Sequence, residues 1–244
     1  MNDNHENNEK ENKLKVRTVK IKVNIPTKRE MIMMLAYIPL HLVFIPLILS
    51  WAMDKGALSE PQANLVLYGI GVVYMLVFAG GFLRRDFDPL CDHPIHVGLT
   101  VLGSYGLMLC CNFVLALGLT LLGFNDNPNN GSVQELSREA LGTMTAVTVY
   151  LTPIVEELMF RGAIFGALRW RSRTAAYIVT MLSFSICHVW GYALLDASYW
   201  IYVLQYLPAS WILCRCYERT NTIWGSILLH MLINGIAMGL TSMI

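Results

Sequence analysis

The chain has 244 residues, of which 55% are hydrophobic and 14% are charged, and its net charge is +1 at pH 7. Soluble domains carry roughly a quarter of their residues as Asp, Glu, Lys and Arg. The low charge argues against a soluble enzyme and against a disordered chain, and the near-neutral balance argues against a nucleic-acid-binding protein. We therefore expect an all-α, polytopic membrane protein.

The first 30 residues are polar and hold eight of the 18 Lys and Arg residues. They contain no apolar core of a signal peptide, so we predict an uncleaved, disordered tail over residues 1–30. Charged and apolar residues alternate at 16–23, which also allows a short strand or helix at the membrane surface. Residues 31–244 are predicted to form a single transmembrane helical domain.

Seven apolar segments follow the tail, and each is near the ~20 residues that cross a bilayer. We expect a bundle of about seven spans. Pro153 predicts a break or a tilt in the fourth segment, and Pro208 makes the short sixth segment the least regular. The loop at 124–132 is a strong helix breaker. The segments run over residues 31–53, 62–83, 96–123, 140–168, 174–195, 198–214 and 222–243.

Arginine is concentrated in alternate loops. With the basic tail inside, loops 84–95, 169–173 and 215–221 together carry seven arginines on the same side, whereas the opposite loops carry Lys55 and Arg138. Short cytosolic loops are enriched in Lys and Arg. We therefore predict a cytosolic N-terminus and an external C-terminus.

The fourth apolar segment contains three ionisable residues, which are costly in a bilayer and usually mark function. Glu157 and Arg161 lie one helical turn apart with the acid on the N-terminal side, which favours an ion pair. Glu156 lies ~100° around the helix from Glu157, so we predict that it is free of Arg161. The alternative is a purely structural ion pair, which leaves the second acid unexplained.

Two later segments also carry polar residues at helical spacing. Phe184 precedes His188 by one turn, and His230 precedes Asn234 by one turn. Packing or interhelical hydrogen bonds would explain each pair alone. At ~1.5 Å rise per residue, Glu156, His188 and His230 lie ~20, ~22 and ~14 Å from the neighbouring basic loops. We therefore expect polar side chains from three helices to converge on one pocket.

A desolvated glutamate beside a histidine is suited to activate water. His230 and Asn234 can donate hydrogen bonds to the oxyanion that forms when water attacks a carbonyl group. These residues predict hydrolysis of an amide bond without a cofactor.

Zinc held by Glu156, His188 and His230 is the alternative. Against it, no HExxH motif is present, and the six cysteines show neither zinc-binding nor disulfide spacing. Metal-bound histidines usually have a carboxylate or carbonyl partner. Glu157 is the evident acid for that role, and we expect Arg161 to occupy it.

The ordered motifs resemble those of the CPBP family, which contains the CAAX prenyl proteases of the Ras-converting type and the bacteriocin-processing or immunity proteins, also called the Abi family. The resemblance covers residues 140–240, and every motif residue matches. The motifs are Glu156-Glu157-xxx-Arg161, Phe184-xxx-His188 and His230-xxx-Asn234.

The resemblance implies an intramembrane glutamate-type endopeptidase with an all-helical fold. It implies that Glu156 and His188 activate water and that His230 and Asn234 stabilise the oxyanion. The family has also been described as metalloproteases, so the resemblance leaves zinc open. The candidate catalytic residues are Glu156, Glu157, Arg161, His188, His230 and Asn234.

We therefore expect a multi-pass protein of a bacterial cell membrane that cleaves a peptide or protein substrate, with or without an attached lipid. Its expected partners are that substrate and the lipid bilayer, not nucleic acid, and no oligomeric state follows from the sequence. Two other interpretations stay open. One is a catalytically inactive immunity or scaffold protein of the same family, and the other is an ion or proton transporter that uses the same buried acids.

Overall fold

The computed structural model describes residues 24–124 and 127–241. These ranges are helical almost throughout and contain no β-strand, so the all-α prediction is confirmed. Residues 1–23, which make up most of the predicted tail and include the alternating stretch at 16–23, lie outside the described part of the chain.

Eight main helices build the bundle in the described ranges. Four of them (α1, α2, α3 and α8) are each long and apolar enough to cross a membrane, so the chain is a multi-pass membrane protein. Short helical turns at Asp88–Asp92, Trp190–Ala193 and Ala197–Tyr202 connect some of the main helices. The main helices are α1 Lys28–Asp54, α2 Glu60–Arg85, α3 Pro94–Leu121, α4 Pro128–Glu139, α5 141–169, α6 Arg173–Cys187, α7 Val203–Thr220 and α8 Ile223–Thr241.

Helix α4 corrects the sequence prediction, which treated residues 124–132 as a helix breaker. Pro128 stands in the first turn of α4, where a missing N–H leaves no hydrogen bond unmade. Asn127 caps the helix, because its side-chain oxygen accepts a hydrogen bond from Asn129 N at 3.0 Å. The same residues that signal a turn therefore start a helix here.

A second correction concerns α6. The predicted span at 174–195 ends as a regular helix at Cys187, and His188 is its C-terminal cap residue. His188 therefore lies where the chain leaves the helix, not inside it.

Pro153 widens α5 instead of breaking it. The Thr152 N–H donates to the carbonyl of Val147, five residues back, so this turn is π-helical. In that register the donor to the Thr148 carbonyl would be residue 153, and proline has no N–H. The Asn234 side chain of α8 takes that place, with Nδ2 donating to Thr148 O at 2.8 Å.

Helices α1, α2 and α5 approach one another closely at Gly71. A Cβ atom at this position would lie 2.8 Å from Tyr37 Oη and 2.8 Å from Val155 Cγ2. Tyr37 and Val155 are both fully buried. Because Val155 precedes Glu156, this contact sets Glu156 beside the next turn of α2, which carries Tyr68.

The start of α8 is tied to the end of α2. The buried Asp86 accepts the Ile223 N–H through Oδ2, and its backbone carbonyl accepts the Thr222 hydroxyl. The Trp224 indole N–H donates to Leu83 O at 3.1 Å. These bonds fix the first turn of the helix that carries two of the candidate catalytic residues.

We predict that Asp86 makes the protein less stable as the pH rises. Burial raises the pKa of Asp86 to about 7, whereas a free aspartate in an unfolded chain has a pKa of about 3.9. The folded protein keeps the Asp86 carboxyl group protonated to a higher pH than the unfolded chain does. The stabilisation that results is fully present below about pH 4 and is lost as the pH rises through 7. The melting temperature in detergent should fall between pH 5 and pH 7.

The matched variant is Asp86→Asn, which keeps an acceptor oxygen for the Ile223 N–H but cannot ionise. Its melting temperature should change less over the same pH interval. Identical pH dependence in the two proteins would show that Asp86 does not titrate in the fold.

Candidate active site

One cavity of about 600 Å³ collects most of the candidate residues, and we call it the chamber. Its wall includes four of them, brought together from α5, α8 and the end of α6: Glu156, His188, His230 and Asn234. Glu157 and Arg161 lie behind this wall and are completely buried. The structure thus brings the expected polar side chains of three segments to one place.

Behind the wall, Glu157 and Arg161 form the predicted ion pair. Arg161 Nη1 lies 2.9 Å from Glu157 Oε1, and both side chains are 0% exposed. Arg161 Nη2 also donates to Ser210 of α7, at 3.0 Å to Oγ and 3.2 Å to the backbone oxygen. The guanidinium carbon lies 4.4 Å from the centroid of the Phe184 ring. The buried cation is therefore held by α5, α6 and α7 together.

The oxygen of Glu157 that binds Arg161 also binds His230, at 2.8 Å from the ring Nδ1. Because a carboxylate only accepts hydrogen bonds, Nδ1 carries the proton. Arg161 therefore occupies Glu157 as expected, but it does not keep this acid from serving as the partner of a histidine. One carboxylate orients a cation and a histidine, and it leaves Nε2 of His230 to face the chamber.

Glu156 and His188 form the second pair, with 3.7 Å between Glu156 Oε2 and His188 Nε2. His188 Nδ1 lies 2.8 Å from the Phe184 carbonyl and donates to it, so a neutral ring has its lone pair on Nε2. Tyr206 stacks on the ring, with 4.6 Å between centroids. Glu156 Oε1 accepts the Tyr68 hydroxyl at 3.4 Å, while Oε2 is buried without a hydrogen-bond partner among the described residues.

Sequence reasoning missed four residues that support the site. Three of them belong to apolar segments and lie outside the motifs: Tyr68, Tyr206 and Ser210. Tyrosine and serine are common in such segments, so they do not by themselves indicate a site. His41 is different, because it is an ionisable residue inside the first apolar segment. It lines the chamber, and its ring lies 5.0 Å from that of Tyr68. An ionisable residue inside an apolar segment indicates a functional site, and this criterion identifies His41 when it is applied to every segment.

The donor chemistry suits zinc better than the sequence indicated. Both ring Nδ1 atoms have an oxygen partner, Glu157 for His230 and the Phe184 carbonyl for His188, as metal-bound histidines usually do. Within residues 24–124 and 127–241, however, no three His, Cys, Asp or Glu side chains lie close enough to hold one ion. The residues present therefore do not form a metal site as they are placed.

We predict that Glu157→Gln lowers stability and cleavage activity together. The change leaves Arg161 buried without a counter-charge, and breaking a buried pair in this way costs about 3–5 kcal/mol. It also weakens the bond that orients His230. Thermal unfolding in detergent and peptide cleavage, measured on the same preparations, check both effects.

Glu135→Gln is the matched control, since Glu135 is exposed on α4 and lies outside the chamber wall. Its loss of stability should be much smaller, because this change leaves no buried charge without a partner. The result that would contradict this assignment is a Glu157→Gln variant that melts like the parent protein and is inactive, together with a Glu156→Gln variant that stays active. The roles of the two acids would then be reversed.

Comparison with known proteins shows a family to which the part of the chain that carries this site is similar. Residues 139–236 match the family model described as type II CAAX prenyl endopeptidase Rce1-like, and all six candidate residues lie inside that range. The uncharacterized protein YyaK of Bacillus subtilis (strain 168) is 22% identical over 187 residues, an alignment that covers 72% of this chain and 60% of that protein. No solved structure matches significantly. Residues 139–236 are therefore similar to the Rce1-like family of type II CAAX prenyl endopeptidases.

Proposed function

We propose that the chain is an intramembrane endopeptidase in which Glu156 and His188 activate water for attack on a peptide bond. The observation that carries the proposal is the buried, unpartnered Oε2 of Glu156, 3.7 Å from His188 Nε2 in the wall of the chamber. One water molecule at hydrogen-bond distances of about 2.8 Å can contact both atoms. The family match supports a protease-like protein, and this pair supplies the groups that peptide hydrolysis needs.

The proposed reaction moves one proton through Glu156. Its Oε2 accepts a proton from water as the water oxygen bonds to the carbonyl carbon. Nε2 of His188 accepts a hydrogen bond from the other O–H of the water and orients the molecule. Tyr68 holds the second carboxylate oxygen. When the C–N bond breaks, Glu156 donates the proton to the leaving amine. The carboxylate is regenerated, and the two products have gained the elements of water.

His230 and Asn234 are proposed to stabilise the oxyanion. Because Nδ1 of His230 donates to Glu157, its donor for the oxyanion is Nε2–H of the imidazolium form. Asn234 uses one amide hydrogen on the Thr148 carbonyl and keeps the other. The oxyanion would thus meet one charged and one neutral donor.

The shape of the chamber argues against an open ion channel. In the described part of the chain, no residue of loops 84–95, 169–173 or 215–221 lines it, so it ends inside the bundle. An open channel needs a continuous path between both membrane faces, whereas an alternating-access transporter opens to one face at a time and is tested by ion flux in vesicles. An immunity or scaffold protein, the other alternative, makes no use of Glu156 as a base.

We predict that Glu156→Gln lowers cleavage at least about 100-fold, because glutamine keeps the shape of the side chain but cannot accept a proton from water. The melting temperature should stay near that of the parent protein, since Glu156 makes one long hydrogen bond. The measurement is cleavage of a mixed peptide library by purified protein, read by mass spectrometry. Asp92→Asn, an exposed acid outside the chamber, is the control. Equal cleavage by Glu156→Gln and the parent protein would favour an inactive scaffold or another base.

A further expected outcome is that activity needs no tightly bound metal. Dialysis against a strong chelator should leave cleavage unchanged, and elemental analysis should find no stoichiometric metal. Stoichiometric zinc whose removal abolishes cleavage and whose return restores it would make Glu156, His188 and His230 ligands and end the glutamate-base mechanism.

A further inference from the structure

The chamber reaches one end of the bundle only. Beyond the candidate catalytic residues its wall continues to Asn64 in the first turns of α2, to α4, to Gln205 at the start of α7 and to Thr241 at the end of α8. From His230 to Thr241, α8 rises about 16 Å, a depth that about five residues of extended peptide cover. Asn130 and Gln134 of α4 are exposed wall residues, so the chamber opens beside α4.

The distribution of charge assigns a side of the membrane to this opening. Nearly all the basic residues lie at helix ends on the face opposite the opening. The face with the opening carries only Lys55 and Arg138 among the described residues. By the positive-inside rule the opening faces away from the cytosol. The basic residues of the opposite face are Lys28, Arg29, Arg84, Arg85, Arg169, Arg171, Arg173, Arg215 and Arg219.

The wall near the opening carries uncharged polar side chains among apolar ones such as Val133 and Met238. No Lys, Arg or Asp lines the chamber in the described ranges, and Glu156 is the one Glu in its wall. The carboxamides of Asn112, Asn130 and Gln134 face this space and make no hydrogen bond within the described residues. A carboxamide both donates and accepts, so it can pair with the N–H and C=O groups of a peptide backbone.

We propose that the substrate is an exported polypeptide, from which an uncharged stretch enters the chamber in extended form from the outer face. The inference rests on the proposed peptidase function. Asn112, Asn130 and Gln134 bind the backbone of the entering segment and guide it about 16 Å inward to Glu156. A substrate confined to the cytosol has no route to Glu156 through this opening.

The side of entry is tested with protein reconstituted in sealed vesicles. Two single-cysteine reporters, Glu139→Cys beside the opening and Arg171→Cys at the opposite face, are placed in a cysteine-free background. An impermeant thiol reagent then measures the fraction of molecules in each orientation. Impermeant, internally quenched peptides with uncharged cores are added outside, and cleavage is also measured in detergent.

We expect cleavage in vesicles to rise with the fraction of molecules whose residue 139 faces outward. Cleavage that rises instead with outward exposure of residue 171 overturns the inference but leaves the peptidase function standing. Absence of cleavage in detergent as well refutes the peptidase function, and the inference with it.

The carboxamides are tested by Asn130→Ala and Gln134→Ala. Loss of one hydrogen bond to the substrate should raise KM roughly fivefold in each, with kcat and melting temperature unchanged. Glu135→Ala, an exposed residue of α4 outside the chamber wall, is the control and should leave KM unchanged. An unchanged KM in the double variant, or faster cleavage of peptides with charged cores, contradicts the proposal.

Discussion

The shared oxygen of Glu157 is the contact on which the arrangement of the site depends. It accepts hydrogen bonds from Arg161 and from His230, and Arg161 in turn reaches Ser210. One buried carboxylate therefore joins α5, α7 and α8. Away from water an unpaired charge is very costly, so these helices lose much more than one hydrogen bond if they shift apart. The candidate catalytic groups gain fixed orientations as a consequence.

Those features that depend on local spacing were predictable from the sequence. Glu157 and Arg161 stand four residues apart in an apolar run, so both their pairing and their burial follow from helix geometry and from the cost of charge in lipid. The similar depths of Glu156, His188 and His230 in the membrane were also predictable, because the rise per residue is nearly constant in helices. The helical class followed from composition and from the length of the apolar runs.

Other features depend on contacts between distant segments and could not be predicted. The bond from His230 to Glu157 joins residues 73 positions apart. Helix α4 is polar in sequence, and its N-terminal end is held by hydrogen bonds from Asn127 and Asn129 to Tyr206 of α7. Tyr68 meets Glu156 across 88 positions, so no motif can connect them. In each case the partner comes from packing, which a one-dimensional pattern does not contain.

The wide turn at Pro153 has a consequence for how the sequences of related proteins can vary. Asn234 fills the hydrogen bond that the proline nitrogen cannot make, while it stands among the candidate catalytic groups. Where a relative has another residue at the position of Pro153, its own N–H can serve the Thr148 carbonyl. The asparagine is then released from its structural duty and keeps only its chemical one. Pro153 can therefore vary while the asparagine stays, whereas in this chain a change of Asn234 removes a structural and a chemical function at once.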